Sequence, residues 1–152
     1  VPTLAAYGLN LELPGGWEGR VRRSTPEPGA VTYAVLHAAS FGLPVERGDY
    51  GGGAVELMRP EDVFVCLFEH DPAAASAGLF ARQGAPTQLP PDAFSPVALQ
   101  RVLPGQCGVQ RFFSAARRAF CLYVVLGSYG RRAVLAPQAE SVVRTLSIGA
   151  WS

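Results

Sequence analysis

Residues 62–70 read DVFVCLFEH and residues 119–127 read AFCLYVVLG. Both carry apolar residues on even and odd positions alike, over a length that suits a strand. A strand with one wet face alternates; one that is apolar on both parities has to be covered on both sides. VTYAVLHAAS (31–40) has the same character. These three segments predict the middle of a sheet held between two covering layers.

The rest of the chain fits around such a sheet. At 152 residues it suits one domain, spanning 1–152, and a chain of this size buries roughly 68–70% of its unfolded surface. Hydrophobic residues make up 49% and charged residues 16%, the reverse of a disordered composition. In YGLNLELPGGWEGRVRR (7–23), Tyr7, Leu9, Leu11 and Leu13 alternate with polar or small residues up to Pro14-Gly15-Gly16. That pattern predicts a hairpin whose second strand starts at Trp17. STPEPGA (24–30) reads as a polar loop, and VALQRVL–PG–CGVQRFF as a second hairpin leading through SAARR (114–118) into 119–127. A short helix is expected at about Gly53–Met58, stopped by Pro60. A longer one carries Leu135, Ala139, Val142, Val143 and Leu146 on one stripe, with its start placed at Pro137.

Two blocks carry a family likeness. YGLNLELPGGWE (7–18) resembles the aromatic-Gly, strand, Pro-x-x-Trp opening of the PsbP/Mog-like fold. FCLYVVLGS (120–128) followed by ESVVRTLSI (140–148) resembles its closing strand, last helix and short tail. The resemblance implies an α+β domain, an α-β-α sandwich around a twisted antiparallel sheet of about six strands. The C-terminal helix would cover one face, and the short helix with residues 71–96 the other. It also implies a mostly non-enzymatic group that includes bacterial lipoproteins outside the cytoplasmic membrane, and it supplies no catalytic motif.

Function classes are narrowed mainly by what the residues lack. The formal charge is +1, so there is no net attraction to nucleic acid. Lysine is absent, which removes Schiff-base and P-loop lysine chemistry. No apolar run reaches the ~20 residues of a membrane span. The chain begins at Val1, which leaves room for a removed signal or an upstream membrane anchor. Cys66, Cys107 and Cys121 show no CxxC spacing; Cys66 and Cys121 read either as free buried thiols or as one bridge.

The most motif-like stretch is GDYGGGAVEL (48–57). It lacks the lysine and hydroxyl of a P-loop, and Glu56 would repel an anion, so the glycines read as a packing device. His37, Glu69, His70 and Asp71 have no metal-ligand spacing, so no metal or cofactor is expected. Ser128 lies in no GxSxG elbow and reads as a turn or helix-approach residue; no catalytic residue is assigned.

Arginine clusters at 20/22/23, 117/118 and 131/132 lie near turns and aromatic residues. The expected partner surface is the sheet end carrying Arg117 and Arg118, with Asp49 and Tyr50 in one loop and Tyr129, Arg131 and Arg132 in another. The leading expectation is a non-catalytic protein-interaction module, the soluble domain of an extracytoplasmic lipoprotein. The alternative is a cytoplasmic small-ligand binder or enzyme with a pocket beside residues 48–53, lined by His37, Tyr50 and Arg131. A structural subunit with an exposed apolar patch is a third.

Overall fold

The computed structural model describes residues 2–24 and 31–151. Most of the expected polar loop, 25–30, lies outside the described residues. The element order is β1 (Thr3–Ala6), β2 (Leu9–Glu12), β3 (Glu18–Arg23), β4 (Ala34–Ala39), β5 (Val63–His70), β6 (Cys107–Ala115), β7 (Arg118–Leu126), α1 (Arg132–Val143) and β8 (Ser147–Ile148). An antiparallel five-stranded sheet runs β3-β4-β5-β7-β6, and a three-stranded sheet runs β1-β2-β8. None of the helices described is long and apolar enough to cross a membrane.

The strands apolar on both parities are the centre of the large sheet. Every residue of β4 and β7 is buried. One face (Leu36, Val65, Leu67, Leu122, Val124) packs against Leu9, Leu11 and Leu13 of the small sheet and Leu135, Ala139, Val142 and Val143 of α1. The other face (Val35, Phe64, Cys66, Tyr123, Val125) is covered by Phe41, Leu43, Tyr50, Val55, Leu99 and Leu103.

The second layer consists of loops, which corrects the expected α-β-α sandwich around one sheet of about six strands. The architecture is mostly β: eight strands in two sheets, with α1 the single α-helix among the described residues. The helix expected at Gly53–Met58 is a 3-10 turn at Val55–Leu57. Residues 71–96 form further single turns at Pro72–Ser76, Gly78–Phe80 and Pro91–Ala93. The physical reason is local. Three successive glycines before the first segment disfavour helix, and Pro86, Pro90, Pro91 and Pro96 interrupt the second.

Three further differences concern pairing. Leu9–Glu12 and Glu18–Arg23 do not form a hairpin; Pro14-Gly15-Gly16 passes the chain from one sheet to the other. The partner of β2 is β1, joined by Tyr7 and Gly8 with φ of 53° and 78°, the left-handed pair of a type I′ turn. Residues 97–103 are not a strand. Gly108 lets them cross the sheet face, since a Cβ there would meet the Ala98 carbonyl oxygen at 2.6 Å. The Gln100 amide then donates to the Tyr123 hydroxyl at 2.8 Å. Finally, α1 starts at Arg132, not at Pro137. Ser128 Oγ accepts from the Arg131 amide and opens the approach. Pro137 is exposed, and so is Ala133, four residues earlier, whose carbonyl loses its helical partner.

One polar contact joins these layers. Glu69 (0% exposed) and Arg118 (3%) form a bidentate ion pair at 2.8 and 3.0 Å on the face beneath the small sheet. Arg118 Nη1 also donates to the Tyr7 and Gly149 carbonyls, each at 2.8 Å. Glu69 accepts from the Ala34 amide and from the Trp151 indole, each at 3.2 Å. Removing one member of such a pair leaves a buried charge uncompensated, at a cost of about 3–5 kcal/mol. Arg118→Met is expected to lose that much stability in urea unfolding. Adding Glu69→Leu should recover only part, because two carbonyls, an amide and an indole N–H stay unserved. Full recovery in the double variant would contradict this accounting.

Candidate functional site

The glycine loop is packed down onto the sheet. Gly51 (φ +90°) lies against the Phe64 ring, where an added Cβ would come within 2.5 Å. A Cβ on Gly53 (φ +93°) would lie 2.9 Å from the Glu46 carbonyl oxygen. The Gly53 amide, which an anion would need, donates to the Glu56 carboxylate at 3.2 Å. The loop is thus closed by its own acid.

His37 anchors this loop and is 1% exposed. Its Nδ1 accepts from Arg47 Nε at 2.9 Å, which leaves Nε2 to carry the proton and donate to the Asp49 carbonyl at 2.8 Å. That carbonyl also accepts from Cys66 Sγ at 3.3 Å. Arg22 pairs with the Asp49 carboxylate at 3.0 Å and donates to the Arg47 carbonyl. Tyr50 stacks on Phe68 at 4.8 Å and meets Tyr123 edge-on. Asp49 and Tyr50 therefore hold the loop to the sheet. Burial, and secondarily the Arg47 and Arg22 charges, bring the His37 pKa down to about 4. Burial pushes the Cys107 and Cys121 thiols up to about 11 and Cys66 well above its usual value. All three cysteines are free, so the thiols are protonated at neutral pH and Cys66 and Cys121 are unbridged.

The expected partner residues are not brought together. Register places the β6–β7 turn, with Arg117, at the sheet end carrying His70 and Ala119. Tyr129, Arg131 and Arg132 follow the other end of β7, where Val63 faces Leu126. Asp49 and Tyr50 lie on a face between them. Arg118 points inward to Glu69, which removes it from any partner surface.

Two surface features involve the expected residues. At the start of α1 the Arg132 guanidinium lies 3.9 Å from the centroid of the exposed Tyr129 ring and donates to the Tyr129 carbonyl at 2.8 Å. Arg131 and Val134 are exposed beside it, and the first turn of α1 contains no acid. At the opposite end, a cleft of about 340 Å³ lies between the Pro72–Ser76 turn and Gln83, Ser114 and Arg117. Ala116 and Arg117 form the β6–β7 turn with φ of 52° and 61°. Both are left-handed, without the Asn-Gly that such a turn favours, and left-handed non-glycine backbone costs about 1–2 kcal/mol per residue. Sequence reading named Arg117 and missed Ser114, Gln83 and Ser76. The available signal was SAARR itself, a tight turn lacking glycine, but its strain shows only once the register is known.

Comparison with protein-family models, curated proteins and solved structures finds no match, so no family is assigned and the PsbP/Mog-like likeness is unsupported.

The lowered His37 pKa fixes a pH dependence. The unfolded chain binds a proton near pH 6.5 and the folded one only near 4. Stability is therefore complete above about pH 6.5 and is lost as pH falls toward 4, by about 3 kcal/mol. His70, lowered by burial, adds a slope of the same sign. His37→Gln should flatten the curve of urea midpoint against pH between 6.5 and 4. An unchanged slope would show that His37 is not the group responsible.

Proposed function

We propose that this chain is a non-catalytic protein-interaction module that docks an acidic segment of a partner protein on the patch formed by Tyr129, Arg131, Arg132 and Val134. The observation that carries the reading is the Arg132–Tyr129 stack at an N-terminal helix end with no acid. Cations there oppose the helix dipole, at a cost of about 0.3–1 kcal/mol each, so the stability of α1 does not account for them. Arginine and tyrosine are the residues that anchor interfaces. The guanidinium is already held against the ring, so little side-chain freedom is lost on docking. Support also comes from the interior: both ring nitrogens of His37 and all of the Glu69 carboxylate are engaged in joining segments.

Charge reversal separates stability from binding. Arg131→Glu with Arg132→Glu should raise stability by about 0.5–1 kcal/mol, because acids suit a helix N-terminus. A photo-crosslinking residue at Tyr129, in the organism that makes the protein, should yield a discrete protein adduct that the double reversal abolishes. The same probe at Val45, 93% exposed, serves as control. Adducts that match those at Val45, or that survive the reversal, would refute the patch.

A further inference from the structure

We infer that the cleft beside the β6–β7 turn is a binding site for a small molecule carrying an oxyanion, either a carboxylate or a phosphate group. The first observation is Ser114. It is 3% exposed and lines the cleft, its amide donates to the Arg82 carbonyl and its carbonyl accepts from the Gly84 amide. Its hydroxyl, buried, has no hydrogen-bond partner among the described residues. Buried polar groups are nearly always satisfied, and one that is not requires an explanation.

The surroundings select the ligand's charge. Arg117 is among the residues lining the cleft, and a guanidinium fork suits a two-oxygen acceptor; Gln83 adds an amide side chain to the lining. No acidic side chain lines it. The acid next in sequence, Asp71, accepts from the Ala73 amide at 2.9 Å. On the same sheet face, one strand beyond Ala119, lies His70, whose buried Nε2 is also without a partner. Burial holds its pKa down, so it adds no positive charge at neutral pH. Pro72, Ala73 and Ala75 form the opposite wall, where a short carbon skeleton fits. The volume is at the small end of ligand sites.

The backbone supplies a third observation. Arg117 is held at φ 61° beside Ala116 at 52°. Glycine would occupy either position without strain. A long cation retained beside the cleft, where glycine is the stable choice, is what is expected when strain serves binding.

The test is a titration of the ¹⁵N-labelled full chain with sodium phosphate and, separately, sodium butyrate at constant ionic strength, followed by amide shifts. At least one anion should give saturable shifts confined to residues 72–76, 82–84 and 114–117, and which one does so identifies the group. Arg117→Gly should fold with an undiminished melting temperature and weaken binding at least about tenfold, a loss of about 1.4 kcal/mol. Ser114→Ala should weaken it by a smaller factor. Reversal of Arg131 and Arg132 should leave it unchanged, which keeps this site separate from the partner patch. Absence of saturable shifts for both anions, or wild-type affinity in Arg117→Gly, would overturn the inference, as would shifts centred on 129–132.

Discussion

The Glu69–Arg118 pair is the constraint around which the fold is organised. An acid buried in the middle layer of a protein is tolerated only if a cation and further hydrogen bonds accompany it. Here those partners come from distant parts of the chain: Arg118 from β7, the Ala34 amide from β4, and the indole of Trp151 near the C-terminus. Arg118 in turn requires acceptors, and takes them from the Tyr7 turn and from Gly149. Its guanidinium also lies 5.1 Å from the ring centroids of both Phe120 and Trp151. One charge pair thereby specifies where both ends of the chain meet the large sheet. Hydrophobic burial supplies the bulk of the stabilisation but is non-directional; the ion pair is directional and ties the Tyr7 and Gly149 carbonyls to the large sheet.

The two faces of the large sheet are covered by different means. Toward the small sheet and α1, the contact is apolar interdigitation of Leu9, Leu11 and Leu13 with the sheet and the helix. On the other face the covering backbone is irregular and its polar groups need partners. His37, Arg47, Arg22 and Asp49 meet that need by bonding backbone carbonyls and one another. A histidine on a central strand thus serves as a two-ended clamp whose neutral form is the folded form.

Much of this was legible in the residues, within limits set by what patterns encode. Apolar residues on both parities of 62–70 and 119–127 correctly marked strands covered on both faces. Alternation in 9–13 correctly gave the buried face of β2. It was silent on the pairing partner, because period-two patterning specifies a face and not a neighbour. The Tyr7-Gly8 turn fell inside what read as one strand. Only the short helix expected at 53–58 is replaced by a 3-10 turn, because the glycines there tolerate several local conformations and tertiary contacts choose among them. Arg118 was read as a surface cation from its place beside a turn. The contrary signal was Glu69: an acid in a strand apolar on both parities demands a buried cation. The cleft at Ser114 joins segments about 40 residues apart, and no local pattern announces such a meeting.

Native-state hydrogen exchange on Arg118→Met tests the central claim most directly. If the ion pair is what fixes the small sheet to the large one, amides of Leu9–Glu12 and Ser147–Ile148 should lose protection as a block, while those of Val63–Leu67 and Leu122–Leu126 keep a shared, slower exchange. Uniform acceleration across both sheets, or full protection of the small sheet in the variant, would contradict the account.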